Sequence, residues 1–153
     1  MKRIVLAAIL AGLATPALAL SCMVPDRRYE GDIEQARSGE LPFTLIAGTF
    51  DYTRPAFDSE GYYEVQARFQ GEIWQTDAWQ PHIGPVTVRV SCINGDCGGM
   101  NPGSPILAIV RQDAEGTLLV ASGPCSDLPT FLDETSREEA LSCLHGRCPR
   151  NSY

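Results

Sequence analysis

The spacing of apolar and polar residues predicts one short helix followed by several strands. Residues 30–37 are polar enough for a two-turn surface helix, which Gly39 would end. From residue 43 to residue 50 both alternating sets of positions are largely apolar. That pattern predicts a strand buried on both faces, with Gly48 at a bulge or a close backbone contact.

Further strands are predicted where apolar residues alternate with polar ones. Tyr63, Val65, Ala67 and Phe69 alternate with charged or amide side chains, as in a half-exposed antiparallel strand. The other predicted strands cover residues 86–92, which carry three valines, residues 106–110 and residues 117–121. We interpret residues 75–84 as a loop. Five strands with turn-rich connections predict a mainly β fold, either a small barrel or a sandwich.

The end of the chain returns to a helical pattern. Thr135 and Glu138 have the spacing of a capping box, in which each side chain satisfies the other's backbone donor. Leu141 and Leu144 would share one helix face, and Gly146 would end the helix. This predicts a C-terminal helix within an extension that begins at about residue 127.

The start of the chain has the three parts of a signal peptide. Lys2 and Arg3 precede an apolar run over residues 4–13, and Ala17 and Ala19 are small residues at −3 and −1. We therefore predict cleavage after Ala19 and export to the periplasm or the medium.

The mature chain is then a single domain of residues 20–153. A lipoprotein box is the alternative interpretation, with lipid on Cys22, although Ala19 stands where such boxes usually have Leu. No later apolar run is long enough to cross a membrane.

Charge narrows the range of partners. Twelve basic and nineteen acidic residues give a net charge of −7, and removal of Lys2 and Arg3 lowers it to −9. Such a surface repels phosphate, so we expect neither nucleic acid nor anionic lipid as a partner.

Six cysteines in an exported chain predict three disulfides: Cys22, Cys92, Cys97, Cys125, Cys143 and Cys148. Sequence alone does not choose among their pairings. The turn-forming residues between Cys92 and Cys97 favour closure of that loop, which would leave Cys22 to reach Cys125. Cys143 and Cys148 enclose a histidine and an arginine, so a metal site and a redox pair are alternatives to the structural disulfide that we favour.

The sequence offers little else that carries chemistry. We predict no catalytic residue, no metal ligand and no cofactor, because neither a nucleophile motif nor a phosphate-binding loop is present. His82 is interpreted as a solvated loop histidine. Trp74 and Trp79 are candidates for a ligand-binding face, although packing is the commoner role of such aromatics.

Several short motifs occur in a familiar order. They are an early Cys22, the apolar Ala47-Gly48-Thr49-Phe50, a valine strand before Cys97-Gly98, the run of residues 102–110 and a closing strand and cysteine within residues 116–126. In this the chain resembles the bacterial relatives of the tissue inhibitors of metalloproteinases, which share the netrin-like domain. The resemblance covers roughly residues 22–126.

The resemblance implies a five-stranded Greek-key barrel of the oligonucleotide/oligosaccharide-binding (OB) type with helices outside it. It also implies protein binding, with a metallopeptidase as the partner, through Cys22, Met23, Val24 and Pro25. In the animal inhibitors an N-terminal Cys places its amine and carbonyl on the peptidase zinc. This chain departs from that pattern, because the predicted mature end is Leu20 and position 24 is Val24 rather than a second cysteine. Other hypotheses are a structural or ligand-binding envelope protein and a thiol oxidoreductase.

Overall fold

The computed structural model describes residues 22, 27–56, 61–93 and 95–150. The predicted signal peptide lies outside them, as do Met23, Val24 and Pro25. The elements are α1 (Glu30–Arg37), β1 (Phe43–Asp51), β2 (Gly61–Gln75), β3 (Ala78–Ile93), β4 (Asp96–Cys97), β5 (Pro105–Gln112), β6 (Leu118–Ser122), β7 (Thr130–Phe131) and α2 (Glu134–Leu144). The predicted mainly β class and the C-terminal helix are confirmed.

Within the described residues the strands form one mixed sheet of seven strands rather than five. The two additional strands, β4 and β7, have two residues each and pair with β3 and β5. The five longer strands hydrogen-bond in the order β1-β2-β3-β6-β5, and β5 pairs again with β1. Among these ladders, as far as the chain is described, only β3–β6 is parallel. The ladders of these five strands therefore form a closed circuit.

The main hydrophobic cluster consists mainly of one alternating set of residues from these strands, with Tyr52 and Met100 added from the connections. Val86, Val88 and Val90 are fully buried in it, as the valine pattern predicted. Phe50 and Phe69 lie opposite each other on β1 and β2, with their ring centroids 5.0 Å apart. We call this set of residues the strand core.

A second cluster lies between the sheet and the two helices, and we call it the helix core. Leu45 and Ala47 of β1 enter it, together with Ile33 of α1 and Ala140 of α2. The prediction that β1 is buried on both faces is confirmed, because Ile46 belongs to the strand core.

Gly48 makes the predicted close backbone contact. It lies opposite Gly71 of β2, and a Cβ added to Gly48 would lie 2.7 Å from the Gly71 Cα. Glycine is therefore required at both positions, because the paired backbones of β1 and β2 come too close here for a side chain.

The prediction of a loop at residues 75–84 was wrong. β2 continues past Gly71 to Gln75, and a two-residue turn at Thr76 and Asp77 returns the chain directly into β3. Both turn residues have positive φ, 49° and 58°, as the favoured hairpin turns require. Prolines in this part of β3 are tolerated because β6 pairs only with residues 87–90, so the earlier part of the strand is an edge.

The cap of α2 also differs from the prediction. The N-cap is Asp133, whose carboxylate accepts the Ser136 backbone N–H at 2.6 Å, while the Ser136 hydroxyl accepts the Asp133 N–H at 3.0 Å. A serine at the third helical position thus does what Glu138 was expected to do. Hydrogen bonds from Ser136 hold the pKa of Asp133 below its usual range. The helix ends as predicted, with Gly146 at φ 82°.

Candidate functional site

All six cysteines are paired, in the pairing that the sequence favoured. Cys22 is joined to Cys125 over 103 residues, with the two Cα atoms 5.3 Å apart. Cys92–Cys97 and Cys143–Cys148 each close a loop with a sequence separation of five residues. Three disulfides are compatible with a compartment outside the cytoplasm. Within the described ranges, no helix is both long and apolar enough to span a membrane.

Two of these disulfides meet at one end of the sheet, because β3 and β6 run parallel. Val90 lies opposite Ser122, so Cys92 and Cys125 both follow the same end of this ladder. The Ser91 hydroxyl donates to the Ser122 carbonyl at 3.2 Å across the two strands. We call this region, with Cys22–Cys125 and Cys92–Cys97, the disulfide end.

Cys125 lies in a tight turn that presents it to solvent. The Ser126 N–H donates to the Gly123 carbonyl at 3.2 Å, and the Gly123 N–H donates to the Ser126 hydroxyl at 3.3 Å. Cys125 is exposed while Cys22 is half-buried. The predicted binding segment of Cys22, Met23, Val24 and Pro25 therefore begins at this turn, although only its first residue is described.

The chain after the turn is held against α1. The Asp32 carboxylate accepts the Leu128 N–H at 2.8 Å, and the Asp127 carboxylate accepts the Tyr29 N–H at 3.0 Å. Burial raises the pKa of Asp32, and the hydrogen bond from Leu128 opposes that shift. Two reciprocal bonds thus join α1 to the segment that carries Cys125, so the attachment point of Cys22 is a fixed part of the fold.

Trp74 and Trp79 lie together at the opposite end of β3, beside the β2–β3 turn. Their ring centroids are 5.5 Å apart, and the guanidinium of Arg137 on α2 lies 4.5 Å from the Trp79 ring centroid. Arg137 also binds the Glu72 carboxylate at 2.8 Å. Both tryptophans are half-buried against the helix core. Arg137 thus lies over the Trp79 ring, and the His145 ring centroid lies 6.5 Å from that of Trp74.

The two histidines occupy ordinary structural positions. His82 lies within β3, not in a loop, and its ring centroid is 6.1 Å from that of Phe69. His145 caps α2 beside Trp74, and the Cys143 of the neighbouring disulfide is fully buried. Over residues 27–56, 61–93 and 95–150, together with Cys22, no three His, Cys, Asp or Glu side chains gather as a metal site would require.

Sequence reasoning missed a groove beside the disulfide end. A cleft of about 270 Å³ lies between α1 and the outer face of β3, β5 and β6. A second cleft of about 340 Å³ adjoins it between α1 and residues 123–127. Both are lined by Asp32, Gln35, Gly123 and Ser126. Residues from four separate elements form the groove, so no spacing along the chain indicates it.

Comparison of the chain with models of known protein families, with the sequences of characterised proteins and with solved structures found no match.

Proposed function

We propose that this chain is an exported, non-enzymatic protein-binding domain with a netrin-like barrel. Its partner is a metallopeptidase, which it contacts through Cys22, Met23, Val24 and Pro25 and the adjoining loops. The observation that carries the proposal is the Cys22–Cys125 disulfide, which fastens this segment to the end of the β3–β6 ladder.

The strand pairing supports the barrel. A five-stranded circuit of order β1-β2-β3-β6-β5-β1, with β3 and β6 as its parallel pair, is the connectivity expected of a partly open Greek-key barrel of the OB type. Helices on the outside of the sheet are also what the netrin-like resemblance implies.

The constraints at the disulfide end support the binding role. An attachment point that is fixed before binding lowers the conformational entropy that is lost on binding. Here the turn at Cys125 is held by its own hydrogen bonds and by the bonds that Asp32 and Asp127 make. The Cys92–Cys97 loop lies beside it and adds a second constrained element.

The test compares three forms of the protein produced in an oxidising compartment. One begins at Leu20, one begins at Cys22 with a free amine, and one carries a single alanine before Cys22. Each is assayed against a panel of zinc metallopeptidases. We expect the form that begins at Cys22 to inhibit at about 1 nM and the extended forms to lose most of that affinity. The intact mass of the naturally exported protein identifies the form that occurs.

A disulfide variant pair supplies the control. Replacing Cys22 and Cys125 by serine should abolish inhibition, whereas replacing Cys143 and Cys148, at the far end of α2, should leave it unchanged. Inhibition by none of the forms across the panel would overturn the assignment of the partner.

The second candidate function is ligand binding by Trp74 and Trp79. Their proximity favours it, since paired aromatic rings are common in ligand sites. The Arg137 guanidinium of α2 lies over the Trp79 ring, which is why we place this function second. If tryptophan fluorescence does not change when glycans, peptides or lipids are added, this second function is ruled out.

A further inference from the structure

The groove beside the disulfide end combines an apolar floor with two cations. Leu119 and Ala121 of β6 point to the same side of the strand and line it. Arg89 of β3 lies opposite Ala121, and Arg111 of β5 lies opposite Leu119. The two arginines therefore flank a short apolar strip, one on each side of β6.

Both guanidinium groups keep donors for a ligand. Arg111 donates to the Gln35 carbonyl at 3.2 Å, and Arg89 binds the Glu64 carboxylate at 2.7 Å with its side chain 47% exposed. An arginine has five N–H donors in a planar fork, so neither residue is saturated by these contacts.

The acidic side chains of the groove are directed to the protein's own backbone. Asp32 accepts the Leu128 N–H and Asp127 accepts the Tyr29 N–H. The charge of Arg89 is matched by Glu64, whereas Arg111 forms no ion pair within the described residues. In a chain of net charge −7, this unpaired cation gives the groove a local attraction for an anion that most of the surface lacks.

We propose that this groove binds the C-terminal residue of a peptide or protein chain, with the terminal carboxylate between Arg89 and Arg111 and an apolar side chain on Leu119 and Ala121. Arginine forks match the planar geometry of a carboxylate. The two clefts together are large enough for a few residues.

The polar lining favours a peptide over a free aliphatic acid. Ser91, Ser126 and Gln35 supply hydroxyl and amide groups along the groove. Peptide N–H and C=O groups can pair with them, whereas an alkyl chain would leave them unsatisfied. This inference does not rest on the inhibitory function, because it uses the outer face of the sheet and not Cys22.

The experiment is an NMR titration of ¹⁵N-labelled residues 20–153 with three probes. N-acetyl-Ala-Leu carries a free carboxylate, its C-terminal amide lacks the charge, and octanoate carries the charge without a peptide. We expect N-acetyl-Ala-Leu to shift the amide signals of Arg89, Arg111 and Ala121 and to bind at least about tenfold more tightly than either other probe.

Variants locate the site. Arg89→Gln and Arg111→Gln should each weaken binding by about tenfold, while Arg68→Gln, an exposed arginine on the outer face of β2, should have no effect. Ala121→Trp, at an exposed position, fills the floor and should block binding without disturbing the core.

Three binding results would overturn the inference. Equal binding of the amide would show that the carboxylate is not recognised, and equal binding of octanoate would show that the peptide groups are not recognised. Equal losses in the Arg68 variant would show a general charge effect. Retained peptidase inhibition in the Arg89 and Arg111 variants is the expected result, and its loss would overturn the assignment of the groove as a site separate from the inhibitory surface.

Discussion

The strand core and the helix core are built from different kinds of residue contact. The strand core takes one face of each strand, and its members follow directly from alternation and register. The helix core joins residues of α1, α2 and the outer faces of β1 and β5, together with Leu128. No single periodicity covers that set.

The two cores are also stabilised by different kinds of link. The ladders of the closed circuit fix the strand core from all sides. The helix core instead depends on links between distant parts of the chain: the Cys22–Cys125 disulfide beside α1, the Arg28–Glu139 ion pair at 3.0 Å and the bond from Arg37 to the Leu144 carbonyl at 2.7 Å. We therefore expect the helix core to be the less protected of the two.

The largest expected effect is that of the long disulfide. Replacing Cys22 and Cys125 by serine removes a link over 103 residues, and loop-closure entropy gives a loss of about 4.7 kcal/mol for a loop of about 100 residues. The same relation gives about 2 kcal/mol for the Cys92–Cys97 pair, which is the matched control. Urea unfolding of both variants measures the difference, and equal losses would show that the long link does not constrain the unfolded chain.

The next effect compares one large side chain from each core. Phe69→Ala leaves a cavity in the strand core and should lower the free energy of unfolding by about 4 kcal/mol, and Ile33→Ala by about 3 kcal/mol in the helix core. Amide hydrogen exchange distinguishes them. Phe69→Ala should lower protection throughout the ladders, whereas Ile33→Ala should lower it in α1 and α2 first. Uniform loss in both variants would show one cooperative core.

The third effect acts at the strand that both cores share. Gly48→Ala adds a Cβ against the Gly71 backbone and the Phe69 ring, and a backbone contact cannot move aside easily. The expected loss is about 1–3 kcal/mol by analogy with overpacking. Gly99→Ala, where nothing lies within 4 Å, is the control and should be close to neutral. Thermal unfolding checks both variants, and a neutral Gly48→Ala would mean that β1 and β2 can separate locally.

The members of the strand core were predictable from alternation, whereas a barrel was only one of two architectures that the strand pattern allowed and was otherwise implied by the resemblance alone. Alternation placed Val86, Val88 and Val90 correctly, and the two apolar faces of β1 indicated that a second core existed. Nothing local indicated that β1 pairs with β5 or that β3 pairs with β6, because these ladders join distant residues. The first half of β3 was missed because Pro81 and a turn without glycine conceal a strand pattern.

The same distinction between local sequence pattern and long-range strand pairing applies to the candidate site. The even number of cysteines predicted three disulfides and the loop composition favoured Cys92–Cys97, while the structure supplied the full pairing that defines the disulfide end. The groove with Arg89 and Arg111 depends on which strands are neighbours, so it could be found only once the ladders were known. Capping by Asp133 was missed because Ser136 replaces the longer side chain that the usual motif has at that position.

The smallest expected effect uses pH to test one of the links that hold the helix core. Burial raises the pKa of Asp32, which holds Leu128 of the helix core, so its ionised form is less stable in the folded protein than in the unfolded chain. The resulting destabilisation is absent below the usual value of 3.8 and fully present above the raised folded value. Asp32→Asn keeps an acceptor for the Leu128 N–H without the charge. Relative to the natural protein, this variant should become more stable as the pH rises from 3 to 7.

Asp133 should behave in the opposite direction, which makes it the matched control. Its pKa is lowered by hydrogen bonds from Ser136, so its contribution to stability is present above 3.8 and is lost as the pH falls through the folded value. Asp133→Asn should therefore match the natural protein at low pH and fall below it at neutral pH. Urea unfolding of both variants at several pH values measures the two slopes. Slopes of the same sign would show that hydrogen bonds to the Asp32 carboxylate outweigh its burial, and the link between α1 and Leu128 would then stabilise the helix core at neutral pH instead of weakening it.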